Sequence, residues 1–218
     1  MTTAIIGIGN IGGTVARYLV AGGERVILAA QEEAKPKELA AKLGPLASAA
    51  PVRKAIADAD VVIFAVWFDT EQQLIRENSD LLEGKVVVDP SNPLKPDGKG
   101  GMVRTLSDGQ SSGSVIAGLL PRGARFVKAF GTLSATSLAS AANRKPDRAV
   151  LFYATDDGRA AVAIEHLIAA AGFDPVKVDG IKSSLRIEMF GDLHEYGGLN
   201  GKLLNAREAT VAVTRVNL

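Results

Sequence analysis

Three glycines, Gly7, Gly9 and Gly12, have the spacing G-x-G-x-x-G and stand between an apolar run at 4–8 and a helix-like segment at 11–20. A strand that turns sharply into a helix leaves the first N–H groups of that helix unpaired, and the helix dipole makes them an anion site. Gly7 permits the turn, Gly9 lets a pyrophosphate approach the backbone, and Gly12 lets helix and strand pack closely. The amides of Asn10 and Ile11 then face the phosphates. The expected ligand is a dinucleotide. A methyl-donor nucleoside, another user of such loops, usually wants an acidic residue on the first strand, and this strand has none.

The end of the second strand is where such proteins read the ribose. NAD proteins place an Asp or Glu there, and NADP proteins an arginine or a small hydroxyl residue. This chain has Ala30-Gln31, followed by Glu32, Glu33 and Lys35. Lys35 can meet a 2′-phosphate as a point charge. Glu32, turned inward, can instead accept from a ribose hydroxyl. NADP and NAD both remain open on these residues.

Side chains that could move protons are few. There is no cysteine and no Gly-x-Ser-x-Gly elbow, so no nucleophile–base set is present. His166, in "AIEHLIAA", reads as a helix-surface residue, and His194, in "GDLHEYGG", is the better candidate. Lys202 and Asn205 are three apart and are expected to share a helix face. A lysine so placed can act as general acid to a carbonyl during hydride transfer, and the plain alternative is a solvated lysine beside a helix-capping asparagine. Hydride transfer between a nicotinamide and a second ring needs neither, because the cofactors carry the chemistry and the protein supplies proximity.

These residues must be positioned by a regular scaffold. Short buried strands are expected at 4–8, 25–30, 60–67, 85–89 and 125–129, with helices at 11–20, 33–43, 71–82, 114–120 and 134–142. That alternation implies a parallel sheet with crossover helices. Further on, a strand is expected from 148, a helix at 160–171, a last strand at 175–178 and a helical end from 184, broken at Gly197-Gly198. The stretch 91–112, rich in Pro, Gly, Ser and Lys, reads as a long surface loop. The fold class is α/β: a doubly wound Rossmann sheet over 1–131 with a small C-terminal α/β part over 132–218.

Composition excludes several classes. The chain has 218 residues, 25 Lys+Arg against 24 Asp+Glu, and a net charge of +1. That balance lacks the positive field that nucleic acid or an anionic membrane requires. Without cysteine and with only two histidines, neither disulfides nor a Cys/His metal site is expected. The longest apolar run, 61–68, is too short to span a bilayer. No basic leader precedes the first strand, so a cytoplasmic protein is expected.

Five segments come in order along the chain: "IIGIGNIGGTVARYLVAGGERVIL", "ADVVIFAV", "VVVDPSNPL", "RFVKAFGTL" and "HEYGGLNG". Together they resemble the NADPH-dependent coenzyme F420 reductases, the 8-hydroxy-5-deazaflavin:NADPH oxidoreductases, in a branch with bacterial dinucleotide-binding reductases of unassigned acceptor. The cytosolic domain of a metalloreductase family shares these motifs. The resemblance covers nearly the whole chain. It implies NADP as cofactor, a deazaflavin or flavin as second substrate, and a homodimer. It implies that Ile8, Asn10 and Ile11 hold the pyrophosphate and that Val66 and Trp67 line the path to the nicotinamide. Asn92 and 129–131, with Ala129 and Gly131, would surround the nicotinamide, and Gly197, Gly198 and Leu199 would border the acceptor. Ala30-Gln31 replaces the family's Ser-Arg pair and Glu32 a second arginine, whereas Lys35 matches. Gly131 stands for a common asparagine and Trp67 for a usual proline.

Overall fold

The computed structural model describes residues 1–215; the last three residues of the expected C-terminal part lie outside them. In chain order the elements are β1 (Thr2–Ile6), α1 (Asn10–Ala21), β2 (Arg25–Ala29), α2 (Ala34–Leu43), β3 (Ala47–Ala49), α3 (Val52–Asp58), β4 (Val61–Phe64) and α4 (Phe68–Glu77). There follow β5 (Val86–Asp89), β6 (Leu94–Pro96), β7 (Met102–Arg104), α5 (Ser112–Leu119), β8 (Arg125–Lys128) and α6 (Ala135–Ala141). The chain continues with β9 (Val150–Tyr153), α7 (Gly158–Ala170), β10 (Asp174–Lys177), α8 (Ser184–Ile187) and α9 (Ala206–Thr214).

Six strands form one parallel sheet in the order β3-β2-β1-β4-β5-β8. The order reverses between β1 and β4, and the crevice outside the carboxyl ends of strands at such a reversal is where open α/β sheets bind ligands. Strand side chains alternate between two cores, as a sheet covered on both faces requires. Ile5, Ile63, Val88 and Val127 meet Val15, Leu19, Ile164 and Leu167 of α1 and α7. Ala4, Ile6, Phe64 and Phe126 meet Ile56, Phe68, Ile75 and Ile116 of α3, α4 and α5. The first of these cores runs on through Tyr153 and Phe173, so one apolar interior continues across residue 131. The small β10–β9 pair is also parallel, and a single antiparallel bridge, Lys128 to Ala154, joins it to β8.

Three parts differ from the sequence-based expectation. β3 and α3 were not foreseen, because a three-residue edge strand of Ala-Ser-Ala carries no apolar run and is defined only by pairing with β2. The stretch 91–112 is not a plain loop: it holds the β6–β7 hairpin, and its end is buried at Ser111 and Ser112. The end from 184 is helical only in α8 and α9. Between them the chain turns repeatedly, with left-handed backbone at Phe190 (φ 73°) and Asn200 (φ 49°). Asn205 is the N-cap of α9 and forms a reciprocal capping box with Glu208, which places Lys202 before that helix rather than on a face shared with Asn205.

Candidate dinucleotide and acceptor site

The glycine loop is shaped by three different constraints. Gly7 is left-handed at φ +91° and its N–H donates to the Ala29 carbonyl at 2.8 Å, which ties the turn to the end of β2. A Cβ on Gly12 would stand 1.9 Å from the Gly7 carbonyl oxygen and 2.9 Å from Ala65 Cβ, so α1 meets the loop at a distance only glycine allows. A Cβ on Gly9 would meet nothing within 4 Å. The open position is the one that the sequence reading gives to an approaching pyrophosphate. α1 has no side-chain cap and no acid in its first turn, which leaves the amides at its start, including those of Asn10 and Ile11, available to an anion.

A cleft of about 690 Å³ opens from this loop. Ile8, Asn10, Thr14 and Arg17 line one wall, and Thr136 and Ser140 of α6 line the other. This is within the usual range for small-molecule sites. A smaller hollow of about 380 Å³ lies around Arg122, Phe126 and Asp156, near the start of β8 and so at the opposite end of the sheet.

At the end of β2, Gln31 is exposed and Ala30 half-buried. Lys35 pairs with Glu32 at 2.8 Å in open solvent, and that bonded carboxylate raises the lysine's pKa. No guanidinium stands in the Ala30-Gln31 step, so this edge offers a 2′-phosphate one lysine that already has an anionic neighbour.

The ends of β4, β5 and β8 converge beside the loop. Val66 is half-buried and Trp67 is 63% exposed. Asn92 does not point free: its Nδ2 donates to the Gly131 carbonyl at 3.1 Å and its Oδ1 accepts from Met189 N–H at 2.6 Å. Ala129 is buried, and a Cβ on Gly131 would lie 2.5 Å from the Pro90 carbonyl oxygen. The asparagine common at position 131 is thus excluded by the close approach of the segments after β5 and β8. His194 is buried, and its Nδ1 accepts from Tyr196 N–H at 3.0 Å. Burial lowers its pKa against the opposing pull of the Gly131 backbone and Glu195, so the ring is neutral near pH 7.

Behind these ends lies a buried charge cluster that the sequence reading missed. Lys128, 2% exposed, donates to Asp89 Oδ2 at 2.7 Å, to Ser112 Oγ at 2.7 Å and to the Ser91 carbonyl. Ser112 Oγ and Gly113 N–H in turn donate to Glu188 Oε1, at 2.9 and 3.0 Å, and Arg104 pairs with Glu188 at 3.4 Å. Glu71, on α4, is wholly buried, and its carboxyl stands next to Asp89 and Ser91. Burial, then the charge of Asp89, pushes its pKa well above the carboxylate range, so it is held as the neutral acid. The one sequence signal was a charge closing each of two apolar strands, "VVVD" and "FVK"; Asp89 and Lys128 are direct ladder partners.

Residues 2–93, which include the glycine loop and run to Asn92, match the family described as NADP oxidoreductase, coenzyme F420-dependent. The structure of a hypothetical protein, SMa0349, from Sinorhizobium meliloti is 30% identical, with a TM-score of 0.81 over 94% of this chain and 95% of that one. The chain belongs to the F420-dependent NADP oxidoreductase family. A structure named for an F420-dependent NADP reductase from Arthrobacter sp. FB24 shares the fold at 21% identity and TM-score 0.74, over 84% of this chain and 87% of that one. Metalloreductase STEAP3 of Rattus norvegicus is 29% identical over 84% of this chain. The chain spans about a third of that relative's length, 35%.

In this oxidoreductase the C-terminal segment is fastened to the Rossmann part. Glu195 accepts from Ser134 N–H and Ser137 Oγ, each at 2.6 Å, and so caps the start of α6. Gly197 and Gly198 are packing positions. A Cβ on Gly197 would stand 1.9 Å from the Gly191 carbonyl oxygen, and one on Gly198 2.6 Å from that of Asp192. Leu199 packs on the small core beside β9. Lys202 is exposed and pairs with Glu208 at 2.8 Å, ahead of the helix that Asn205 caps, so the two do not share a helix face. His166 is also on the surface, 2.6 Å from Glu24. Among the described residues no helix is long and apolar enough to cross a membrane.

Proposed function

We propose that the protein takes hydride from NADPH and delivers it to a flat ring acceptor of the deazaflavin or flavin kind. One observation carries the reading: the convergent strand ends offer phosphate-binding backbone and close-packed walls, and neither proton-transfer candidate of the sequence is presented there to a carbonyl. His194 is buried and neutral, and Lys202 is engaged with Glu208 outside. The nicotinamide supplies the hydride, and ring-to-ring transfer needs alignment and exclusion of water rather than an acid at the transferring carbon.

In this reading the amides at Gly9, Asn10 and Ile11 hold the pyrophosphate and Lys35 meets the 2′-phosphate. Val66 and Trp67 flank the path to the nicotinamide ring. Asn92, Ala129 and Gly131 fix the wall against that ring, with Asn92 locked by Gly131 and Met189. The segment at Gly197, Gly198 and Leu199 closes the acceptor side.

The experiment offers NADPH with two panels: riboflavin, FMN and a deazaflavin, and small 2-oxo and 3-oxo acids. Loss of NADPH absorbance with the first panel only is expected. Turnover confined to the oxo acids would overturn the proposal, as would tight NADPH binding with no turnover in either panel.

A further inference from the structure

We infer that Phe190 is a specificity-determining residue of the acceptor site, its ring covering the face of a flat acceptor that the nicotinamide leaves open; this rests on the proposed ring-acceptor reading.

Phe190 is the tip of a tight turn. Gly191 N–H donates to the Glu188 carbonyl at 2.8 Å, which closes the turn over Met189 and Phe190. Phe190 takes its third position with left-handed backbone, φ 73°, where glycine or asparagine is the usual residue. A bulky side chain in that conformation is strained and persists only where the surroundings enforce it. Among the described residues five non-glycine residues are left-handed: Phe130, Asn143, Asp179, Phe190 and Asn200. Three of these are Asn or Asp, which tolerate such backbone. Phe130 is fully buried, and its packing in the core accounts for its conformation. Phe190 is 54% exposed, so packing does not account for it. A lone exposed apolar side chain is ordinary; one held under strain with half its surface in water is not explained by folding.

The neighbours of Phe190 in the turn are all fixed. Glu188, wholly buried, accepts from Ser112 Oγ and Gly113 N–H. Met189 N–H donates to Asn92 Oδ1, on the side chain whose other end holds the Gly131 carbonyl. Gly191 stands where a Cβ would lie 2.3 Å from the Leu185 carbonyl oxygen, and its own carbonyl accepts from Gly198 N–H at 3.0 Å. A Cβ on Gly197 would lie 2.7 Å from the Phe190 carbonyl carbon. Phe190 therefore stands between the Asn92–Gly131 wall, read as the nicotinamide's, and the glycine segment read as the acceptor's.

In ring-to-ring transfer one face of the acceptor meets the nicotinamide, and the other meets water unless protein covers it. A phenyl ring supplies a flat apolar face, brings no charge or exchangeable proton, and loses little freedom on a fixed turn. Such a residue favours acceptors by the flatness and extent of their ring. Small oxo acids offer it nothing to stack on.

The test compares wild type with Phe190→Gly, Phe190→Leu and Phe190→Tyr. Riboflavin is titrated into protein saturated with NADP⁺ and followed by its own fluorescence, and KM and kcat for riboflavin are measured with NADPH. Phe190→Gly should weaken riboflavin binding and raise its KM about tenfold, the size of a lost stacking contact. Its kcat should fall less than its KM rises, and its KM for NADPH should not change. It should melt close to wild type, because glycine suits the left-handed turn. Phe190→Tyr should keep the wild-type values, whereas Phe190→Leu, apolar but not flat, should follow Phe190→Gly.

Unchanged riboflavin affinity and KM in Phe190→Gly, in a protein that turns riboflavin over, overturns the inference and leaves the ring-acceptor reading standing. Full retention in Phe190→Leu overturns it as well, since bulk alone then suffices. So does an equal loss of NADPH affinity, which would assign Phe190 to the cofactor. Riboflavin binding that depends on Phe190 without turnover keeps the stacking residue and removes the hydride-transfer reading alone. Neither binding nor turnover in wild type overturns both.

Discussion

Glu71→Gln should make the protein relatively more stable as pH rises. The wild-type carboxyl is wholly buried and faces the negative Asp89, so the folded state holds its proton well above the usual carboxylate range. The unfolded chain releases that proton near pH 4.3. Below that value both states are protonated, and the folded arrangement has its full stability. Above it the folded protein binds one proton more than the unfolded chain, and stability falls by about 1.4 kcal/mol per pH unit until the folded-state pKa is passed. Glutamine has the shape of the neutral acid and no proton to lose. The difference in unfolding free energy, wild type minus Glu71→Gln, should therefore decline by about 1.4 kcal/mol per unit from pH 5 upwards, or roughly 3–6 °C in Tm for a domain of this size. Urea unfolding of both proteins at pH 5, 6 and 7 and constant ionic strength measures it, and groups common to the two proteins cancel. A difference that does not change with pH would refute the assignment of a neutral Glu71.

Gly9→Val should fold with near wild-type stability and lose dinucleotide binding in calorimetry, since a Cβ there meets no protein atom within 4 Å and the side chain takes the place read as the phosphate's. Gly12→Ala should instead lose stability by several kcal/mol, read by chemical denaturation, because its methyl would lie 1.9 Å from a carbonyl oxygen. Gln31→Arg should raise NADP affinity about tenfold with little effect on NAD, because a guanidinium adds the bidentate grip that Lys35 lacks; equal change for both dinucleotides would contradict the role of this edge. Lys202→Met should keep most flavin-linked turnover, whereas a hundredfold loss would restore the general-acid reading of that lysine.

Much of the Rossmann half was legible in the residues alone. Runs such as "VVIF" and "VVVD", separated by helical periods, specify buried parallel strands because each signal lies within a few neighbours. The glycine spacing specified the phosphate turn for the same reason: turn, approach and packing are all set within six residues. Gly7 and Gly12 are crowded in part by Ala65, at the end of a strand far along the chain, whereas Gly9 is open. The cluster of Glu71, Asp89, Lys128, Ser112 and Glu188 had no local signature, since its members come from α4, β5, β8, α5 and the segment after α8, with Ser112 and Glu188 76 residues apart. Each charge alone reads as a solvated residue, and only burial by sheet and helices turns the set into a network. Lys202 and Asn205 show the converse. Their spacing suits one helix face, but the capping box at Asn205 and Glu208 starts the helix after the lysine. Gly131 looked like a lost asparagine until the fold brought Pro90 against it. Periodicity and spacing determine elements because those are short-range properties of the backbone, whereas the walls of the cleft depend on which elements the sheet order makes neighbours.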